Sequence, residues 1–381
     1  MRVPFNKIHI SGNEIEYIND ALNKGQLCGD GFYTSAVGEK LCSDMGFENV
    51  KMVTSGTHAL EMAALLTELG PGDEVIMPSF TFSSTANSVL LRGAKPVFAD
   101  IEFHTLNIDC RDVERKLSKN TKAIIPVHYG GVGCDMDKIM DIAANNQLLV
   151  IEDAAQALYS KYKGKFLGGI GHIGCFSFHS TKNFISGEGG AVVINSNNSE
   201  ILKRAEIIRQ KGTNRESFLN GEVDKYSWVG IGSSFSPSDI LMAFLYGQLQ
   251  HQELIIEQRQ VVHNKYYEGF KDIVGKGPLK AISNIPDYCE SNYHIFYLIL
   301  ENKNVRNRLA EELKKRDISA YTHYTPLHSS KMGLSLGSGI DELPVTEKAA
   351  EGLLRLPLYT DMTEEEADYV ICCVNSIMKV I

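Results

Sequence analysis

Five short runs, KMVT (51–54), DEVIMP (73–78), KPVFAD (95–100), KAIIPV (122–127) and LLVIED (148–153), are apolar without regular alternation. Helical stretches such as HALEMAALLTEL (58–69) and SSTANSVLLRG (83–93) separate most of them. Strands that are apolar on both faces must be covered on both faces. A parallel sheet with crossover helices above and below it meets that requirement. CFSFH (175–179) and GAVVIN (190–195) bring the strands to seven. The expected architecture is α/β, a seven-stranded, mostly parallel sheet covered by helices.

Past about residue 240 the pattern changes. ILMAFLYGQLQHQELIIEQRQVVHNKYYEGF (240–270) carries apolar residues at helical spacing and predicts one long helix. YHIFYLIL (293–300) predicts a strand and NRLAEELKKRD (307–317) a polar-faced helix. These features divide the chain into a large domain, 1–244, which includes the N-terminal segment, and a smaller α+β domain, 245–381.

Charge and cysteine usage narrow the partners. A formal net charge of -9 argues against nucleic acid and against an anionic membrane, both of which require a basic face. A small anion held by a local cluster stays compatible with it. No apolar run approaches the ~18 residues of a membrane span, and the first residues lack the pattern of a signal peptide. The eight cysteines are scattered without a C-x-x-C pair, which reads as reduced thiols in a cytoplasmic protein and gives no metal site.

Ligands of such sheets gather at the carboxyl ends of the strands. After the first strand, Ser55-Gly56-Thr57 stands where a helix begins and its free N–H groups suit a phosphate. After the second, Phe82 offers a ring face. Glu152 and Asp153 close the fifth strand, where a carboxylate requires a cationic partner. Lys182 sits between FSFH (176–179) and SGEGG (186–190), where desolvation can free its amine to form a Schiff base. Taken singly, these are an N-cap, a core aromatic, a loop acid and a solvated lysine. Together they supply what pyridoxal phosphate needs: a phosphate anchor, a ring face, an acid for the pyridinium nitrogen and a lysine. The glycines of SGEGG are then expected to let backbone approach the cofactor closely.

The ordered set SGTHAL (55–60), PSFTFSSTAN (78–87), EDAAQA (152–157), FSFHSTKN (176–183) and GEGG (187–190) resembles the fold-type I sugar aminotransferases of nucleotide-sugar pathways, the DegT/DnrJ/EryC/StrS type. The resemblance extends from LCGDGFYT (27–34) to RLPLY (355–359). It implies that Lys182 holds the cofactor as a Schiff base and that Asp153 pairs with the pyridine nitrogen. Gln156 would lie near the ring hydroxyl, Phe82 would stack on the ring, and Gly56, Thr57 and Ser177 would hold the phosphate. Ser234 stands where many members donate an Asn to the phosphate across a dimer interface. His179 falls near the substrate in such proteins.

KGTNRESFLNGEVDKYSWVGIGSSFSPSDI (211–240), PVHYGGVGCDMD (126–137) and HYTPLH (323–328) resemble one subgroup more closely. Its members aminate dTDP-4-keto-6-deoxyglucose to dTDP-4-amino-4,6-dideoxygalactose for bacterial surface polysaccharides such as lipopolysaccharide and enterobacterial common antigen. Glutamate is the usual donor and a homodimer the usual assembly. His323 and His328 are candidate substrate contacts. Lys211 and Arg215 are candidates for the nucleotide diphosphate, with solvated helix-end cations as the ordinary alternative. An aminotransferase acting at C3, or one giving the gluco epimer, fits the same residues. A non-catalytic regulator or scaffold of this fold could have lost Lys182 or Asp153, and both are present. GIGHIG (169–174) matches a dinucleotide fingerprint in letters only, because a strand rather than a helix is expected after it.

Overall fold

A computed structural model of the chain describes residues 1–337 and 343–381. In chain order the first elements are α1 (Glu14–Lys24), α2 (Phe32–Met45), β1 (Val50–Val53), α3 (Gly56–Leu66), β2 (Glu74–Pro78), α4 (Ser83–Leu90), β3 (Lys95–Ala99), α5 (Cys110–Lys116) and β4 (Thr121–Ile124). There follow α6 (Met136–Asn146), β5 (Leu149–Asp153), β6 (Lys161–Tyr162), β7 (Lys165–Phe166), β8 (Ile173–Ser177), β9 (Gly190–Ile194), α7 (Ser199–Arg209) and α8 (Arg215–Leu219). The chain continues through α9 (Asp239–Leu249), α10 (Gln252–Phe270), β10 (Leu279–Ile282), β11 (Cys289–Glu290), β12 (Phe296–Leu300) and α11 (Lys303–Lys315). It closes with α12 (Lys331–Ser335), α13 (Pro344–Gly352), β13 (Leu353–Leu356) and α14 (Glu364–Met378).

The seven expected strands are all present, shifted by a few residues at their ends. They form one sheet in the order β1-β9-β8-β5-β4-β2-β3. Strand β9 alone runs against the rest, pairing antiparallel with β1 and β8, while the other pairs are parallel. Successive side chains enter opposite cores. Ile124 and Val150 belong to one cluster, and their neighbours Ala123 and Ile151 to the other. That is why these runs lack alternation: neither face meets water.

The expected single helix over 240–270 is two helices. It breaks at Gln250–His251, where His251 leaves the helical region with φ -116 and ψ 27. Helix α9 packs on α1 and α2, whereas α10 packs on α14. One straight helix cannot serve both sets of neighbours. The smaller core gathers around the antiparallel sheet β10-β12-β13. Ile255 of α10 still belongs to a core of the large sheet, and Val262, Tyr266 and Phe270 belong to the small one. A boundary after residue 244 would cut α9, so we propose the middle of α10 as the junction. Val3 also lies in the small core, joined to Asp317 and Ser319 through its backbone. The N-terminal segment is thereby carried across to the domain that the sequence placed last.

Candidate active site

A cavity of about 650 Å³ opens at the carboxyl ends of β1, β5 and β8 and is closed from the other side by β13 and the segment around Tyr324. Its polar groups fall into four sets.

The first is the start of α3. Ser55 caps the helix, its Oγ accepting from the His58 N–H at 3.0 Å. Helix geometry leaves the N–H groups of Gly56 and Thr57 without helical partners, at the positive end of the dipole. The Thr57 hydroxyl meets Ser84 Oγ at 2.7 Å. A Cβ on Gly56 would lie 2.7 Å from the Cβ of Ser177, so a glycine is what brings this turn against β8. Of the candidate phosphate residues, Gly56, Thr57 and Ser177 line the cavity.

The second is the end of β5, where the pleat separates the two acids. Glu152 turns away from the cavity into the loop containing GIGHIG. There it accepts from the N–H groups of Gly168, Ile170 and Gly171 and pairs with His128 Nε2 at 2.9 Å. Burial alone would raise its pKa; the His128 hydrogen bond and charge, with the Gly171 and Gly168 N–H groups, hold it below the ordinary value. The fingerprint-like loop is thus a cradle for a structural carboxylate, and it leads into strand β8. Asp153 faces the cavity, accepting from Thr85 Oγ1 at 2.8 Å and the Ala155 N–H at 3.3 Å. Burial raises its pKa against the opposing effect of those bonds. The charge of Lys182 also acts on it, against the effect of burial.

Lys182 is the third contribution. It is half-buried, open toward the cavity, and burial lowers its pKa to about 8 despite the charge of Asp153. A neutral amine is therefore accessible near physiological pH. Gln156 is fixed nearby, its Oε1 accepting from the Gly130 N–H at 2.7 Å and its Nε2 donating to the Tyr324 hydroxyl at 3.0 Å. Phe82 lines the cavity and is 58% exposed, with the Tyr324 ring 6.4 Å from its own. His179 also lines the cavity, bonded to Thr181 Oγ1 at 2.9 Å and 3.8 Å from Glu188.

His323 and His328 separate. His323 lines the cavity and meets the Tyr129 hydroxyl at 2.9 Å. His328 is buried outside it, between Ser79 Oγ at 2.6 Å and Glu347 at 3.2 Å, and is no substrate contact on this chain. Ser234 and Lys211 are exposed and outside the cavity, and Arg215 lines a second hollow beside Asp30 and Glu206. Within one chain these three do not reach the site. Among the glycines after Lys182, a Cβ on Gly190 would lie 2.4 Å from the Ser55 carbonyl oxygen. That glycine serves the packing of β9 against the α3 turn.

The fourth contribution escaped sequence reading: Arg259, Tyr324 and Arg355. The available signal was an arginine inside the apolar run LLRLPL, which a strand can carry only if one face meets a polar space.

The donor set fits pyridoxal phosphate. A cationic helix end with two hydroxyls suits the phosphate, a buried carboxylate suits a protonated ring nitrogen, and a low-pKa amine suits the aldehyde. Relatives agree. The chain is 31% identical to the spore coat polysaccharide biosynthesis protein SpsC of Bacillus subtilis (strain 168), over 99% of this chain and 97% of that one. It is 28% identical to GDP-perosamine synthase of Escherichia coli O157:H7, over 98% of each. Among solved structures it is similar to Helicobacter pylori PseC, an aminotransferase involved in the biosynthesis of pseudoaminic acid. The TM-score there is 0.91, with 25% identity and all of both chains covered. Residues 9–375 match one family throughout. The chain belongs to the DegT/DnrJ/EryC1/StrS aminotransferase family, and is a sugar aminotransferase that uses pyridoxal phosphate.

Proposed function

We propose that this enzyme moves an amino group from glutamate to the C4 carbonyl of dTDP-4-keto-6-deoxyglucose, giving dTDP-4-amino-4,6-dideoxygalactose for a surface polysaccharide. The observation that carries the reaction type is the convergence of Lys182, Asp153 and the α3 turn on one cavity. The sugar is supported by the segments 126–137, 211–240 and 323–328. When bound, pyridoxal phosphate supplies an aldehyde that condenses with amines and a ring that takes up the electron pair left by a departing proton. Gly56, Thr57 and Ser177 would hold the phosphate. Asp153 would accept the hydrogen bond of the ring N–H, Gln156 would face the ring hydroxyl, and Phe82 would cover one face of the ring. The Lys182 amine would act as the base for the donor's Cα proton and, in the second half-reaction, as the acid that returns a proton to the sugar carbon. His179 and His323 face the substrate. Ser234, Lys211 and Arg215 act from a second copy of the chain in a homodimer.

The test is incubation with dTDP-4-keto-6-deoxyglucose and glutamate, with NMR of the product sugar. Amination at C4 with the galacto configuration supports the reading; amination at C3 or the gluco epimer replaces it. Similarity to GDP-perosamine synthase makes a GDP-linked 4-keto sugar the second reading, and running both nucleotides side by side decides. Lys182→Ala is expected to lose the absorbance of the lysine–cofactor imine and all turnover. A variant that keeps both would move the attachment to another lysine.

A further inference from the structure

We infer that His294 is the positioning residue for the Lys182 amine, offering it an unprotonated Nε2 as hydrogen-bond acceptor; the role rests on Lys182 being the lysine that holds the cofactor. His294 stands just ahead of β12, is 6% exposed, and lines the same cavity as Lys182. Arg259 donates to its carbonyl at 2.6 Å, which fixes its backbone. A second hollow, of about 10 Å³, lies between Lys182, Asn183, Asn292 and His294. It has room for one water at most. The wall on that side of the amine is therefore built by protein. Among the described residues lining the hollow, Lys182 and His294 are the two that titrate.

A chain of hydrogen bonds tells the two ring nitrogens apart. Asn183 Nδ2 donates to the Asn292 carbonyl at 2.7 Å. A carbonyl only accepts, so the Asn183 amide can point only one way, and its Oδ1 meets His294 Nδ1 at 2.8 Å. That contact requires the imidazole proton to sit on Nδ1. Asn292 is held in turn. Its N–H donates to Ser160 Oγ at 2.9 Å, and its Nδ2 donates to the carbonyls of Gln156 and Leu158 at 2.9 and 3.0 Å. In the neutral ring Nε2 then carries a lone pair, and among the described residues no hydrogen bond uses it.

The surroundings keep the ring neutral. Burial, and then the charge of Lys182, hold its pKa well below the ordinary value, and Arg259, Arg355 and His323 act in the same sense. The Asp153 carboxylate acts on Lys182 itself. A neutral Nε2 beside a lysine can only accept from it. The lysine is otherwise a flexible stem whose donors rotate freely. When the amine is free of the cofactor, one N–H given to His294 turns the nitrogen lone pair away from the wall and into the open cavity. That is the orientation a base needs.

Two measurements test this. The first follows uptake of pyridoxal phosphate by the apoenzyme against pH, and needs neither donor nor sugar. Nε2 is a partner for the ammonium form, so its removal favours the neutral amine. His294→Phe should lower the midpoint of uptake, expected at about 8 in wild type, by roughly half to one pH unit, the worth of one hydrogen bond. His294→Gln keeps an acceptor oxygen and should restore most of the shift. Asn183→Ala leaves the imidazole in place but frees its tautomer. It should reproduce part of the shift, and it decides the matter if His294→Phe does not fold. The second measurement is bleaching of the holoenzyme imine by L-glutamate. His294→Phe should slow it roughly 3- to 10-fold. The isotope effect of α-deuterated glutamate should be at least as large as in wild type, because proton removal is the slowed step. A midpoint unmoved in both His294→Phe and Asn183→Ala, or an isotope effect that shrinks as bleaching slows, overturns the inference. Loss of the imine in Lys182→Ala beside such an unmoved midpoint sinks the inference alone. An imine that persists in Lys182→Ala sinks the attachment at Lys182 and the inference with it.

Discussion

Lys182 and Asp153 are displaced in opposite senses by the same burial, and each displacement has a measurable consequence. With its pKa lowered to about 8, Lys182 is mostly charged below that pH and mostly neutral above it. Since only the neutral amine attacks an aldehyde, uptake of pyridoxal phosphate by the apoenzyme should accelerate as pH rises through about 8 and then level off. A lysine of ordinary pKa would still be accelerating two units higher, and such a profile would contradict the assignment. Asp153 is raised by burial, so the folded apoenzyme holds a proton there more tightly than the unfolded chain. Its contribution to stability is present at low pH and is lost as pH rises through the folded pKa. Asp153→Asn should therefore leave the apoenzyme at least as stable as wild type at pH 8, by thermal melting. It should lower turnover by roughly 10²- to 10³-fold, as for a lost contact to developing charge. At this scale Lys182, the α3 turn and the pair Glu152–Asp153 were legible, because each departs from what its local pattern needs. Which acid faces the ligand was not, since that depends on the strand's register in the sheet. Arg355 was missed for a related reason: the cavity it lines also draws on Asp153 and Lys182, more than 150 residues away in the chain.

Elements rather than side chains explain why the site sits where it does. The α3 turn is wedged between β1, to which it is tied in sequence, and the β8–β9 pair, which it touches through two glycine positions. At Gly190 an added Cβ would meet the Ser55 carbonyl oxygen, a backbone atom that cannot swing aside. Gly190→Ala should cost at least about 1–3 kcal/mol by urea denaturation, the range for forced overpacking. By displacing the helix end it should also weaken cofactor phosphate binding. Gly70→Ala is the control, since its Cβ would point into open space, and the idea fails if the two variants are equally stable. Strand identity was readable from continuous apolar runs, because double burial leaves that mark on each strand independently. The helix break at Gln250–His251 was not, because apolar spacing continues through it and only the change of neighbours, from α1 and α2 to α14, requires it. The strands β10 and β13 also escaped, being short segments whose pairing is set by β12.

On the scale of the whole molecule, the proposed roles of Ser234, Lys211 and Arg215 require a second chain. Ser234, Lys211 and Arg215 lie on a stretch that also exposes Trp228 (79%), Ile231 (67%) and Tyr226 (52%). Large apolar side chains exposed along one stretch are what a docking surface presents, and a second copy is the occupant the proposed function requires. Trp228 is the chain's only tryptophan, so its emission should shift to the red as the protein is diluted through dissociation. A stronger test asks whether the loop serves its own site or its partner's. Lys182→Ala and Arg215→Ala are each prepared, mixed in equal amounts and allowed to reassort. If Arg215 acts across the interface, a mixed dimer holds one site with both an intact lysine and an intact arginine, and one site lacking both. Random reassortment makes half the dimers mixed, so activity should return to about a quarter of wild type. If Arg215 serves its own chain, every site in the mixed dimer lacks one group and activity, per total protein, is half that of Arg215→Ala alone. Full activity of Arg215→Ala before mixing would remove that residue from substrate binding altogether. The imine absorbance of the mixture, which only Lys182-bearing chains develop, should be half that of wild type and so verifies that the two variants were combined in equal amounts.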